Sequence, residues 1–399
     1  MPITTRPAMP GIPTRKLQEF ICAQTVGTPT IETPYVVVDL DIVAERYDSL
    51  RAALPIADVF YAVKANPARE ILELVVERGG HFDVASPAEI EMCLAAGAAA
   101  ADISFGNTIK KQRDIASAYA KGVRLFAFDA EDELRKLQES APDATVFCRV
   151  LCDGSGADWP LSRKFGCEPE EAIRLLLLAA SSGMAIGVSF HVGSQQRNVE
   201  AWDDALEQVA AIAEALGAHG RRLSVVNVGG GFPGRYQDAM PPVTAYGTAI
   251  TKALHNRLHM YTDDFPRIIA EPGRYLVADA GVLQTEVVLV SKKHELEDRR
   301  WVYLDCGKFG GLAETMDEAI RYRLRTPYDD IAGHVPSGPV TIAGPTCDSA
   351  DVLYEKSDYA LPMALKAGDR IEILSTGAYT TTYSAVSFNG FAPLKQICI

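Results

Sequence analysis

The chain has eight cysteines but no CxxC pair, and none of its apolar runs approaches the ~20 residues that a membrane-spanning helix needs. The longest runs are Leu175 to Ala180 and the small-residue stretch Cys93 to Ala101. Cys148 and Cys152 lie four apart where a strand gives way to a loop, which makes neither a zinc knuckle nor a disulfide framework. Basic charge is scarce as well. Lys plus Arg number 39 against 52 Asp plus Glu, a net charge of −13. That balance argues against a nucleic-acid partner and against an anionic membrane surface. His255 and His259 sit at i, i+4 on an expected helix, but no glutamate adjoins His255; a solvated helix face is expected there and no metal site. The first residues, with Pro2, Pro7, Pro10 and Pro13, lack an apolar core, so no secretory signal is expected. Scattered free thiols fit a reduced, cytoplasmic location.

What the chain does have is rhythm. Its 399 residues are 48% hydrophobic and 23% charged, ordinary for a globular protein. Short β-branched runs recur at 59–66, 82–86, 102–106, 125–129, 145–150, 186–193, 225–231 and 267–273. Segments of helical spacing lie between them, such as 71–78, 88–97, 131–140, 170–183 and 199–217. Continuous apolar strands alternating with amphipathic helices imply parallel strands covered by helices. Eight such units predict a closed, TIM-like (β/α)8 barrel. The earlier run 34–40 and the helix after it are expected to lead into the first barrel strand. Beyond residue 275 the pattern becomes strand and turn, with one short helix expected within 312–325. The reading is therefore an N-terminal segment (1–33) that joins the β domain, a barrel (34–274) and a C-terminal, mostly-β, sandwich-like domain (275–399).

In such a barrel, chemistry sits at the C-terminal ends of the strands. Those ends are unusually polar here: Lys64 and Asn66, Asp83 and Ser86, Arg149, His191 to Ser194, Gly229 to Gly231, and Glu271 to Arg274. Lys64 leaves an apolar strand, where loss of hydration would lower its pKa from ~10.4 and make it an amine nucleophile toward an aldehyde. Taken alone, it reads first as a strand-end lysine pointing into water. Three consecutive glycines beside Arg274 suit an anion, because backbone N–H groups can approach it without obstruction. Glu271 could hold a pyridine nitrogen protonated, or pair with Arg274 at the surface. His191 could stack on a flat ring, or could be a core histidine. Together these groups describe a cofactor site.

Eight segments, YAVKAN, FDVAS, SFHVGS, VGGGFPG, EPGRY, GPTCDSAD, GAYT and SFNGF, occur in this order between residues 34 and 392. In this the chain resembles the pyridoxal-phosphate-dependent basic amino-acid decarboxylases of the alanine-racemase-like fold. The resemblance implies pyridoxal 5′-phosphate as cofactor, with Lys64 carrying it as a Schiff base. Ala62 would lie behind the ring, His191 would stack on it and Glu271 would face its nitrogen. Ser194, Gly230, Gly231, Gly273, Arg274 and Tyr379 would hold the phosphate end, and Asp83 and Arg149 would form the surrounding polar network. Cys347 resembles a catalytic cysteine lent by the partner subunit of a homodimer with shared sites. Asp348 resembles the residue that contacts the substrate's distal ammonium, and Phe388 would help wall the pocket.

The expected substrate is a small basic amino acid: L-ornithine, giving putrescine and CO2 as in polyamine biosynthesis. The segment 305–324 departs from the eukaryotic pattern and looks bacterial. Asp317, or alternatively Glu314, would be its acidic specificity residue. A dual lysine/ornithine decarboxylase, making cadaverine as well, is the second reading. Less favoured are a diaminopimelate decarboxylase, which usually shows CESGD where this chain has Cys347 to Asp351, and a non-catalytic homologue, which would lose cofactor residues that are present here. A racemase would need a tyrosine base in place of Cys347.

Overall fold

The computed structural model describes residues 14–25, 31–159, 164–261, 265–329, 331 and 335–399. Two compact units emerge: one takes residues 43–234 and 240–276, the other the N-terminal part up to 42, together with 235–239 and 277–399.

The first unit is the expected barrel. Its eight parallel strands are Ala57–Ala62, His81–Val84, Ile103–Phe105, Leu125–Phe128, Thr145–Arg149, Ala185–Ser189, Val225–Asn227 and Arg267–Ala270, and the last pairs with the first to close the ring. They read as near-continuous hydrophobic runs because helices cover the outside while side chains fill the inside. Phe60, Leu125, Ala127, Phe147, Val225 and Ile269 form that inner core. The helices follow local rules. Pro87–Ala95 begins on Ser86, whose hydroxyl accepts the Glu89 N–H at 3.3 Å, while the Glu89 carboxylate accepts the Ala85 N–H at 2.6 Å. This is a reciprocal cap with proline in the first turn. Ala201–Gly217 buries Trp202, Leu206, Val209, Ile212, Ala213 and Leu216, a single stripe of helical period.

The second unit is one continuous nine-stranded sheet. Leu324–Arg325, Arg370–Leu374, Gly281–Ser291, Arg300–Leu304, Ser337–Ala343 and Val352–Tyr354 follow one another across it. The long strand Gly281–Ser291 carries a register shift between Val287 and Leu289. Such a bulge lets one strand turn and pair with different neighbours along its length. The run at 35–38 pairs within this sheet and not within the barrel, while the helix after it, Leu40–Ala53, runs on into the first barrel strand as expected. Tyr35–Val38 pairs antiparallel with Gly281–Gln284 and parallel with Lys395–Cys398. Its four residues are wholly buried, and a short apolar run of that kind has no period that separates a barrel strand from a central sheet strand. Helix Arg15–Thr25 packs on it through Leu17 and Ile21, against Tyr35, Val37, Val282 and Leu374. Of the expected N-terminal segment, residues 1–13 and 26–30 lie outside the described residues, and with them the prolines weighed against a secretory signal. The helix expected within 312–325 is a 3₁₀ segment, Ala313–Glu318, broken at Met316 and Asp317.

Helix Val243–Arg257 approaches the barrel's first helix closely. A Cβ on Gly247 would stand 2.0 Å from the Ala53 carbonyl oxygen. Gly247→Ala is expected to destabilise the protein by about 2 kcal/mol, as overpacked interiors do, and thermal melting will read this as a lowered Tm.

Candidate active site

The first barrel strand ends in a 3₁₀ turn, Val63–Ala65, with Val63 and Ala65 buried on either side of Lys64. The turn is held from both directions: the Ala62 N–H donates to Pro272 O at 3.0 Å, and the Tyr61 hydroxyl to Asn66 O at 2.8 Å. Lys64 Nζ lies 3.4 Å from Asp83 Oδ2. The lysine side chain is 50% exposed and that of Asp83 only 6%. Dehydration, the effect anticipated for a lysine leaving an apolar strand, is thus not its main circumstance; a buried carboxylate beside it is. Burial pushes the Asp83 carboxyl up, and Lys64 and Arg149 draw it back down. Asp83 Oδ1 is buried with no donor in hydrogen-bond geometry, against Gly106, where a Cβ would come within 1.9 Å of it.

Glu271 follows the last strand. Its carboxyl is pushed up to about 7, first by burial and then by Asp83; Lys64, Asn227 and Arg149 oppose the shift. Asn227 Nδ2 donates to Glu271 Oε1 at 2.5 Å. The His191 ring Nδ1 accepts the Gly193 N–H at 3.0 Å, so its proton is on Nε2. Burial, with the positive charges of Arg149 and Lys64, holds the His191 pKa well below its usual range. A neutral imidazole suits stacking on a flat ring. Gly230 lies beside both groups: a Cβ there would stand 2.6 Å from Glu271 O and 3.1 Å from His191 Nε2. Gly229 and Gly231 have φ of 68° and 107°, a left-handed backbone that favours glycine. Arg274, almost fully buried, donates from Nε and Nη2 to the Ser194 hydroxyl at 3.3 and 3.1 Å. Gly231 and Gly193 pack tightly there, since a Cβ on Gly231 would meet Gly193 O at 2.7 Å. Gly273 is buried just ahead of Arg274, and Ala62 is buried at the end of the first strand. The barrel mouth therefore brings together Lys64, Ala62, Asp83, Arg149, His191, Ser194, Gly230, Gly231, Glu271, Gly273 and Arg274. Asn227 escaped the reading from sequence because a lone asparagine at a strand end carries no motif; the glycine run directly after it was the available signal.

The remaining candidates belong to the β-rich unit. Cys347 and Asp348 are exposed, and the Cys347 N–H donates to Asn389 Oδ1 at 2.9 Å. Asp351 underpins their loop, accepting from Lys308 N, Thr346 N and Thr346 Oγ1 at 2.7, 3.1 and 2.7 Å. Phe388 is 37% exposed and packs on Phe309 with ring centroids 4.9 Å apart. Tyr379 has φ 54° and lies 5.9 Å, ring to ring, from Tyr383. Asp317 is exposed at φ 52°, whereas Glu314 is buried.

The fit to pyridoxal phosphate can be judged from these groups. A lysine beside a buried acid, a carboxyl able to meet a ring nitrogen, a neutral histidine, and a side-chain-free glycine turn next to a buried arginine are the equipment of an enzyme that works through that cofactor. Comparison with known proteins agrees. Residues 40–278 match the family described as pyridoxal-dependent decarboxylase, pyridoxal binding domain. The chain is 35% identical to the lysine/ornithine decarboxylase of Selenomonas ruminantium, covering 90% of this chain and 88% of that protein. It is 31% identical to the ornithine decarboxylase of Schizosaccharomyces pombe, over 94% and 85%. The lysine/ornithine decarboxylase of Vibrio vulnificus, solved with putrescine, superposes with a TM-score of 0.83 at 30% identity, over 97% of this chain and 99% of that one. The chain belongs to the pyridoxal-dependent decarboxylases; it is a carboxy-lyase whose cofactor is pyridoxal 5′-phosphate (PLP).

Two outcomes follow for the site. Gly230→Ala is expected to abolish PLP uptake, read as loss of the cofactor's absorbance, while the protein still melts cooperatively. In cofactor-free protein, Glu271 keeps its proton more firmly folded than unfolded. The unfolded chain releases that proton first as pH rises past 4.5, so stability should decline between about pH 4.5 and about 7. Melting temperatures of Glu271→Gln across that window should decline less.

Proposed function

We propose that the protein decarboxylates L-ornithine to putrescine and CO2, and also accepts L-lysine, giving cadaverine. The carrying observation is its match across nine-tenths of its length to a lysine/ornithine decarboxylase. Bound at the barrel mouth, PLP supplies an electron sink for the pair left on Cα when CO2 departs. The chain's own residues do the rest. Lys64 anchors the cofactor and yields its place to the substrate amine, and Asp83 balances the lysine's charge. Arg274, Ser194 and Gly231 take the phosphate end. Glu271 serves the ring nitrogen, and His191 and Ala62 bound the ring. The distal ammonium of the substrate calls for an acid, and of the candidates Asp348 and Asp317 are exposed whereas Glu314 is buried. One methylene separates ornithine from lysine, a difference worth only ~1–3 kcal/mol, so strict exclusion of lysine would need a further device.

The working form is a homodimer in which Cys347 of one subunit returns a proton to Cα in the other's site. Cys347 lies on a loop beside Asn389, in a stretch where Tyr383, Val386, Phe388 and Phe391 are also exposed. An apolar surface of that kind suits burial against a second copy. Among the described residues no helix is long and apolar enough to cross a membrane, and the eight cysteines are free, which supports a reduced, cytoplasmic setting.

A panel of ornithine, lysine, arginine and diaminopimelate, scored by CO2 release, tests the substrate. Ornithine is expected first and lysine second, within about 200-fold. Release from diaminopimelate alone, or from none of the four, would overturn the reading. Shared sites have their own test: Lys64→Ala and Cys347→Ala subunits, each inactive, should recover about a quarter of wild-type activity when mixed, because random pairing leaves one intact site in half of the dimers. No recovery would rule out a lent Cys347.

A further inference from the structure

Asn227 ends the seventh barrel strand with its side chain fully buried. Its amide serves two masters: Nδ2 donates to Glu271 Oε1 at 2.5 Å, and Oδ1 accepts the Gly229 N–H at 2.9 Å. These bonds fix the amide's direction, since the reverse would set N–H against N–H and oxygen against oxygen. One planar group thus ties the glycine turn to the carboxyl of Glu271. The other charged or titratable groups facing Glu271 are Asp83 from the second strand, Lys64 from the turn after the first and Arg149 from the fifth, with the His191 ring beyond Gly230. Asp83 is a like charge and presses the Glu271 carboxyl toward its protonated form. Glu271 Oε1 has Asn227 as its donor, and among the described residues Oε2 has none.

We propose that Asn227 is the positioning residue for the cofactor's ring partner: its amide engages one oxygen of Glu271, stabilises negative charge on that carboxyl and leaves the other oxygen for a cationic ring nitrogen. The inference rests on reading the barrel mouth as the PLP site. It adds a neutral donor to that site, and it explains why an amide stands here. A carboxylate in its place could still accept from Gly229, but it would face Glu271 with a second like charge and offer no proton.

That difference makes the test. Asn227→Asp keeps the Gly229 bond and deletes the donor. Full-length protein, stripped of cofactor and titrated with PLP between pH 6 and 9, should show at least about tenfold weaker Kd at neutral pH, the loss expected of one charge-assisted hydrogen bond. The pH dependence of binding should move upward by about one unit. In a Glu271→Gln background the same substitution should change the Kd less than threefold. Asn227→Ser, whose hydroxyl can accept from Gly229 but is too short to reach Glu271, should weaken binding in the same direction and stands in if the aspartate variant does not fold. If wild-type protein takes up PLP while either variant matches its affinity and pH profile, or if the loss is the same in both backgrounds, the inference falls alone. If wild-type protein takes up no PLP, the reading of the site falls with it.

Discussion

The site depends on two carboxyls, Asp83 and Glu271, held close to one another at the mouth of a barrel. Burial and mutual repulsion disfavour their charges, while Lys64 and Arg149 favour them. On the function proposed above, a positive ring nitrogen would meet Glu271 and a negative phosphate would meet Arg274 in this space. The same arrangement explains the neutral His191, since a protonated imidazole would add a third cation next to Lys64 and Arg149.

Such a balance needs its members fixed within tenths of an ångström, and the barrel supplies this. Each group sits at or just beyond the end of a strand paired on both sides, and the strand ends are joined again by their own bonds, as where Ala62 meets Pro272. Glycine appears where neighbours approach too closely for a Cβ, at Gly106 against the Asp83 carboxylate and at Gly230 against the Glu271 backbone carbonyl. The scaffold therefore fixes where these groups leave the backbone, and an unfavourable encounter such as that of Asp83 with Glu271 can persist.

Much of this was legible beforehand. The alternation of β-branched runs with helical spacing specified the barrel, because parallel strands buried on both faces read as continuous apolar runs between amphipathic helices. Polar residues at the ends of those runs marked the mouth, and the order of eight motifs pointed to the cofactor. The strand at 35–38 was legible as a strand but its place in the β-rich sheet was not, because four apolar residues look alike in a barrel and at the centre of a sheet. For Lys64 the sequence left both a dehydrated and a water-facing reading, because it shows the strand a lysine leaves but not how open the turn beyond it is; the half-exposed side chain accords with the second. Asn227 was invisible because its importance lies in two hydrogen bonds to residues 2 and 44 positions away.

Glu318 has a wider consequence. Its carboxylate gathers the N–H groups of Glu355, Lys356 and Ser357 together with the Ser357 hydroxyl. These donors outweigh the cost of burial and keep it ionised. The fastening holds the broken 3₁₀ segment in place immediately after Asp317, which itself projects from the surface. Anchor and display are thus assigned to adjacent residues. A substitution at Asp317 can therefore change the side chain on display while the clasp at Glu318 stays closed.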